Sequence, residues 1–304
     1  MKNTIKHLMA TCFCIAIALF FTYILSQQII EYKNYSILLI ACLVIFSIQW
    51  IVFIPSYLFH TERFFDLTGG ITYVSTISLI VYLKFLQGNF DIQYRDILIL
   101  LMVIIWAMRL SLFLFFRVIQ TGHDSRFTEI KKSFSNFLMV WTIQGLWVYI
   151  TLLAALTSIA SRNVLQIDIF IIVGSIVWML GFSIEVIADR QKNNFRSMKI
   201  NAGQFISSGL WSISRHPNYV GEIILWTGIA IIALPTLSGW QYIALVSPVF
   251  VYMLLSRVSG VNLLEIQAEE RWGADSRYQE YKKQTPVLFP NITQLIKNVN
   301  RLLS

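Results

Sequence analysis

The amino-acid sequence predicts an all-α fold, a polytopic transmembrane bundle of about eight (7–8) helices. Of the 304 residues, 56% are hydrophobic and only 13% are charged, and the mean hydropathy is +0.64. Soluble proteins average about 25% charged residues, so this composition excludes an ordinary soluble domain. Apolar runs also recur, each near the roughly 20 residues that a membrane-spanning helix needs. They lie at about 8–25, 36–58, 68–86, 95–118, 136–159, 166–188, 218–235 and 240–258.

The first apolar run follows Lys2 and Lys6, an arrangement similar to a signal peptide. No small-x-small cleavage site follows the run, so we expect a retained first helix. The three cysteines, Cys12, Cys14 and Cys42, all fall in predicted spans, and none has the spacing of a metal site. We therefore expect neither a disulfide framework nor a bound metal.

Basic residues are distributed unequally between the loops. An even number of spans puts both chain ends on one side, and the segments on that side hold most of the lysines and arginines, including Lys131 and Lys132. The opposite loops hold few, such as Lys33 and Arg162. By the positive-inside rule, we expect both termini in the cytoplasm. These loops account for the net charge of +8, so we expect no nucleic-acid partner.

The end of the chain is predicted to leave the membrane. A helix is expected to run from Leu263 to Trp272 and to stop at Gly273. Asp275 then caps a short amphipathic helix that ends before Pro286, which we expect on the cytoplasmic face. The chain has no internal repeat. We predict three parts: N-terminal transmembrane helices at 1–58, a catalytic transmembrane domain at 59–290 and a cytoplasmic tail at 291–304.

A polar stretch stands where the seventh span begins, within residues 203–228. Pro217 is favoured as a first helical residue, because its missing N–H would have no partner there. The helix N-terminus would then present its free N–H groups beside Arg215 and His216. Such a helix start suits a phosphate or another anion.

The seventh span also carries polar groups of its own. Asn218 and Glu222 are four residues apart and share one face, and a carboxylate inside an apolar helix needs a partner. These residues indicate either a functional site or a tie to a neighbouring helix. The alternative is a plain interfacial helix start in which Trp211 and Tyr219 are aromatic anchors.

Span six carries a charged stripe at offsets of four, seven and eleven residues, which is one helical face. Its members are Glu185, Asp189, Lys192 and Arg196. Facing lipid, the stripe would be costly, so we expect it to face the bundle interior or a water-filled cleft. A structural ion pair is the alternative.

Arg109 lies in the middle of span four and needs a carboxylate or a ligand. Asp66 opens span three, and Tyr73 follows two turns later. These three residues are candidates for a polar site in the membrane. The alternative for Asp66 is a plain helix N-cap. Together with the basic loops, such a site suits a polyanionic soluble cofactor that serves a lipophilic substrate held between helices.

The segment from Trp211 to Glu222 resembles the C-terminal signature of the steroid 5-alpha-reductase-like superfamily, and it is most similar to the bacterial membrane branch DUF1295. Four further motifs agree with this resemblance: 65–69, 122–127, 181–192 and 259–265. The resemblance covers about 60–290. It implies a bacterial inner-membrane reductase that uses NADPH to reduce a carbon–carbon double bond conjugated to a carbonyl. The substrate would be a steroid-like or isoprenoid lipid drawn from the membrane.

The resemblance also implies site residues. Asp66, Tyr73 and Arg109 are the candidates that polarise the carbonyl. The candidates that bind NADPH are Arg126, Glu185, Asp189, Lys192, Arg196, Trp211, Arg215, His216, Asn218, Tyr219, Glu222, Arg271 and Tyr278. This sequence departs from the steroid reductases in two ways. Glu185 stands where they have Asn, one turn before the Asp that Asp189 matches. Their Gln-Glu-Leu-Pro-Ser segment is absent, and only Asp66 stands in a similar place.

A second enzyme class shares part of the pattern. Isoprenylcysteine and phospholipid methyltransferases carry a similar Arg-His-Pro start, and Glu269-Glu270 and Tyr278-x-x-Tyr281 are similar to their tail. S-adenosylmethionine is therefore the alternative cofactor. A transporter or lipid-binding protein is a third hypothesis, but no broken helix or inverted repeat favours it. The sequence predicts no oligomeric state.

Overall fold

A computed structural model describes residues 2–87, 92–122, 124–163, 165–258 and 260–289. Two motif residues, His123 and Ser259, lie outside these ranges, as do Pro290 at the end of the predicted catalytic domain and the predicted tail at 291–304. The α-helices are α1 Lys2–Leu25, α2 Ile37–Leu58, α3 Phe65–Leu86, α4 Tyr94–Thr121, α5 Phe134–Ala160, α6 Ile169–Ser197, α7 Pro217–Ala233, α8 Val246–Met253, α9 Val261–Trp272 and α10 Ser276–Gln284.

Within the described ranges, eight helical regions are long and apolar enough to cross a membrane. Lipid offers no hydrogen-bonding partner, so a spanning segment must satisfy its own backbone groups, as a helix does. The protein is an all-α polytopic membrane protein, which confirms the predicted fold class. The described sheet is one small antiparallel hairpin of β1 Glu31–Tyr32 and β2 Tyr35–Ser36, which the sequence did not predict.

The eighth apolar run differs from the continuous helix predicted for it. It begins as a 3₁₀-helix, Gly239–Leu245, continues as α8 and then widens to a π-helix, Leu254–Val258. Pro248 explains the first change, because proline is tolerated in the first turn of an α-helix but not in its interior. The α-helical hydrogen bonds therefore begin at Val246.

Helix boundaries confirm two predictions and correct a third. Pro217 is the first residue of α7, and Asp275 caps α10 by accepting a hydrogen bond from the Arg277 N–H. The N-cap alternative for Asp66 is wrong, because α3 begins at Phe65 and Phe64 occupies the cap position. Asp66 therefore lies inside the first turn of α3.

The helices form two compact units. The first comprises residues up to Ile172 together with Ile229–Ser247. In it, α3 packs on α4, and α5 packs on α1 and α2. Trp141 and Tyr149 of α5 are fully buried in this core.

The second unit comprises Val173–Gly228 and the chain from Pro248 onward. In it α6 and α7 approach closely at glycines. A Cβ added to Gly221 would lie 2.6 Å from the backbone oxygen of Gly181, and one added to Gly228 would lie 2.7 Å from that of Gly174. Small residues let two membrane helices pack backbone to backbone, and this contact places the polar ends of α6 and α7 side by side.

Candidate functional site

The second unit contains a cleft with a volume of about 110 Å³. It is formed by the end of α6, the loop before α7, and helices α9 and α10. Its polar and aromatic lining residues are Lys192, Phe195, Arg196, Gln204, Phe205, Trp211, Arg215, His216, Glu265, Gln267, Arg271, Trp272, Tyr278 and Tyr281.

Trp211 connects the loop to the end of α6. Its indole N–H donates to the backbone oxygen of Ala188 at 3.1 Å, and the Lys192 ammonium lies 4.4 Å from the centre of its ring. The side chain of Gln191 accepts from the Leu210 N–H at 3.0 Å. These contacts hold the loop against the charged stripe of α6.

The start of α7 is supported by the segment after α10. The Arg215 N–H donates to the backbone oxygen of Pro286 at 2.9 Å, and the Ser214 hydroxyl donates to that of Val287 at 3.4 Å. The Ser214 hydroxyl also accepts from the His216 N–H at 3.2 Å. The polar backbone groups before α7 are thus satisfied by protein partners, as burial requires.

A carboxylate on α9 holds both residues before Pro217. Arg215 donates to Glu265 Oε2, while His216 Nε2 lies 2.8 Å from Glu265 Oε1. The His216 side chain is buried and stacks on the ring of Tyr219 at 5.6 Å. Burial lowers the pKa of His216, and Glu265 only partly opposes this effect. His216 is therefore neutral near pH 7.

Aromatic rings form one wall of the cleft. The ring of Phe205 lies 6.0 Å from Trp272, 5.2 Å from Tyr278 and 5.5 Å from Tyr281. The Tyr281 hydroxyl donates to the Trp211 backbone oxygen at 2.6 Å. Burial raises the pKa of both tyrosines, so both stay uncharged. A planar ligand group can stack on such a wall.

The charged lining residues are mostly cations. Glu265 is the one carboxylate among the described lining residues, whereas four of these residues are cations: Lys192, Arg196, Arg215 and Arg271. This excess of positive charge fits a polyanion such as the phosphates of NADPH. It fits S-adenosylmethionine less well, because that molecule carries a sulfonium and an ammonium against one carboxylate. Among the described residues, no group forms a hydrogen bond with the buried atoms Arg215 Nε and His216 Nδ1, and such atoms call for a ligand or water partner.

Seven of the residues predicted to bind the cofactor line this one cleft: Lys192, Arg196, Trp211, Arg215, His216, Arg271 and Tyr278. Five others belong to the same unit but do not line it. Glu185 and Asp189 are buried on α6, and Asn218, Tyr219 and Glu222 lie in the first two turns of α7. A Cβ added to Gly221 of α7 would lie 2.6 Å from the backbone nitrogen of Glu185, so α7 packs directly on α6 at this residue.

The remaining predicted residues belong to the first unit. Tyr73 of α3 is buried edge-on against Trp106 at 5.1 Å, and Arg109 lies one turn further along α4. Arg126 pairs with Asp124 at 2.5 Å, and its charge also acts on Asp66. The site roles of these residues stay predictions.

The other ten described lining residues were not among the predicted site residues: Phe195, Gln204, Phe205, Ile206, Leu264, Glu265, Gln267, Ala268, Trp272 and Tyr281. Glu265 belongs to one of the quoted motifs, and Tyr281 is one helical turn after Tyr278. Phe205 stands in a loop, where periodicity carries no signal.

No curated protein matches this sequence significantly, and no solved structure does. It matches the family described as "Protein of unknown function (DUF1295)" over residues 50–285. This range is well over half of the chain and contains the residues that line the cleft. The protein is therefore a member of the DUF1295 family.

Proposed function

We propose that this protein is an NADPH-dependent reductase of a carbon–carbon double bond conjugated to a carbonyl in a steroid-like or isoprenoid lipid. The observation that carries the proposal is the lining of the cleft, where four cations and one carboxylate stand beside an aromatic wall. A dinucleotide with several phosphates and two flat heterocycles matches that lining. The family resemblance, with its reductase branch, supports the same activity.

Each side of the cleft has its own task in this proposal. The cations Lys192, Arg196 and Arg271 bind phosphates, and the aromatic wall stacks on a heterocycle. When bound, NADPH supplies the hydride that the β-carbon of the enone receives. The acid that polarises the carbonyl oxygen is one of the predicted residues Asp66, Tyr73 and Arg109, which do not line the cleft. A preorganised donor at a developing enolate lowers the barrier. A proton then completes the saturated ketone.

The predicted orientation agrees with this assignment. For eight spans, the loop between α6 and α7 lies on the same side as both termini. That side is the cytoplasm by the distribution of basic residues, where NADPH is available. A lipophilic substrate would enter from the membrane.

Parallel titration of the purified protein with NADPH and with S-adenosylmethionine tests the proposal. We expect NADPH to raise the melting temperature, since a ligand that binds the folded state at about 100 times its Kd stabilises that state by about 2.7 kcal/mol. We also expect NADPH-dependent gain of two hydrogens by a lipid enone. Stabilisation by S-adenosylmethionine alone would instead assign the cleft to a methyltransferase.

Variants sharpen the titration. Arg196→Gln and Arg271→Gln each remove a charge from the cleft, so we expect NADPH affinity to fall about tenfold or more, the value of a charge-assisted hydrogen bond. Arg190→Gln and Lys283→Gln are matched controls, because these side chains are exposed and do not line the cleft. An equal loss of NADPH affinity in the two control variants would mean that the substitutions act through the overall positive charge of the protein and not through the cleft.

A further inference from the structure

Among the described residues that line the cleft, His216 is the one imidazole, and the carboxylate of Glu265 holds it. Glu265 reaches it from α9, with one oxygen 2.8 Å from His216 Nε2 and the other oxygen bonded to Arg215. Because an ionised carboxylate only accepts hydrogen bonds, His216 Nε2 must carry a hydrogen and donate it. Glu265 therefore determines which ring nitrogen is protonated.

The other ring nitrogen is then an acceptor. Its neighbours favour the neutral imidazole: the side chain is 7% exposed, and the positive charges of Lys192 on α6 and of Arg215 act against protonation. Glu265 is the opposing negative charge. A neutral imidazole carries a hydrogen on only one of its two ring nitrogens. Because Nε2 carries it, Nδ1 keeps a free lone pair. In the described protein this buried atom makes no hydrogen bond.

The tie to Glu265 joins two segments that are 49 residues apart in sequence. The stacked ring of Tyr219 restricts the imidazole on its face, at an interplanar angle of 13°. Rotation of the ring would break the bond to Glu265. The contacts with Glu265 and Tyr219 therefore fix the direction in which Nδ1 points, in addition to its protonation state.

We infer that Glu265 is a positioning residue that holds His216 as the Nε2–H tautomer, so that His216 Nδ1 accepts a hydrogen bond from a hydroxyl or amide N–H of the nucleotide in the cleft. This inference deepens the proposed function and rests on it for the identity of the nucleotide. The tautomer does not depend on any ligand. The inference therefore has two parts that are tested separately.

The tautomer is measured by ¹⁵N NMR of the protein labelled at its four histidines. His216 is assigned by the loss of its signals in His216→Asn. We expect a protonated Nε2 and a bare Nδ1 at pH 7.5, and a mixture of tautomers in Glu265→Ala. A protonated Nδ1 in the wild-type protein would overturn the inference, whether or not NADPH binds.

The acceptor role is tested with two opposite substitutions. The amide of His216→Asn reaches the position of Nδ1, whereas that of His216→Gln reaches the position of Nε2 and keeps the bond to Glu265. With NADPH, or with S-adenosylmethionine if only that binds, we expect His216→Gln to weaken binding about tenfold and His216→Asn only about threefold, within the range of one hydrogen bond. His60→Asn is the control, since His60 is exposed, and melting temperatures verify that each variant is folded.

The reverse order, with His216→Gln binding as well as wild type and His216→Asn impaired, would mean that His216 only ties α9 to the start of α7. That result would refute the acceptor role. Failure of the wild-type protein to bind either nucleotide would refute the proposed function and, with it, the nucleotide contact. The NMR measurement would still decide the role of Glu265.

Discussion

Lys84 and Asp96 form an ion pair of 2.7 Å in which both side chains are 2% exposed. Lys84 lies near the end of α3, and Asp96 lies in the first turn of α4, where it also accepts from the Gln93 N–H at 3.0 Å. The pair therefore joins two consecutive spans at one end. A charge in such a place is tolerated only while its partner is present.

We expect Lys84→Met to destabilise the protein by about 3–5 kcal/mol, because it leaves the Asp96 carboxylate buried without its cation. The double variant Lys84→Met/Asp96→Asn should recover much of this loss. Thermal unfolding in detergent measures both. The matched control is Lys282→Met, which breaks the exposed pair with Glu269 and should cost about 0–1 kcal/mol. Equal losses for Lys84→Met and Lys282→Met would contradict the assigned burial.

The contact between α6 and α7 predicts an effect of a single methyl group. A Cβ at position 221 would lie 2.6 Å from two backbone atoms, the Glu185 N and the Gly181 O. Since neither atom can move alone, Gly221→Ala should destabilise by about 1–3 kcal/mol through overpacking. Gly69→Ala is the control, because there the nearest atom belongs to the side-chain amide of Gln144, which can turn away. Melting temperatures compare the two.

A pH-dependent stability is expected from Glu62, in the loop between α2 and α3. Burial raises its pKa, but hydrogen bonds from Lys131 at 2.6 Å and from the Asp124 N–H at 3.0 Å outweigh burial and lower the pKa below its ordinary value. A carboxyl group with a lowered pKa stabilises the fold above about pH 4.3 and loses that contribution as pH falls through the folded value. Melting temperatures measured from pH 7 down to pH 3 should therefore fall less steeply for Glu62→Gln than for wild type. Parallel curves of melting temperature against pH for Glu62→Gln and wild type would show that the Glu62 carboxylate does not cause the pH dependence.

The assignment of Tyr73 predicts a separation of binding from chemistry. If its hydroxyl polarises the substrate carbonyl, Tyr73→Phe should lower kcat by about 10²- to 10³-fold, as the loss of an oxyanion donor does. NADPH affinity should stay within about twofold, because the cations and aromatic rings of the cleft are unchanged. Tyr82→Phe, an exposed tyrosine on the same helix, is the control. Loss of NADPH affinity in Tyr73→Phe would assign Tyr73 to the nucleotide instead.

Much of this architecture follows from local patterns. The lengths of the apolar runs predicted the eight spans, and the missing N–H of proline predicted the first residue of α7. The helical spacing of Lys192 and Arg196 predicted that both face one side, and both line the cleft. Each of these inferences needs only neighbours within a few turns of one helix.

Other features depend on distant partners. The bond between His216 and Glu265 joins residues 49 positions apart, and no periodicity of α9 selects Glu265 over Glu269. The place of Phe205 follows from the fold of an irregular loop. In the eighth run, hydropathy alone did not separate the 3₁₀, α and π segments, since it reports only that the region as a whole is apolar enough to span a membrane.

The hydrogen bonds between the start of α7 and the segment after α10 have a consequence for biogenesis. Ser214 and Val287 are 73 residues apart in the chain, so a ribosome completes every predicted span before it delivers the backbone that supports Arg215. Synthesis of the spans and completion of the cleft are therefore successive events. Translation products that stop before Thr285 would contain every predicted span but would lack the backbone groups that Ser214 and Arg215 bond.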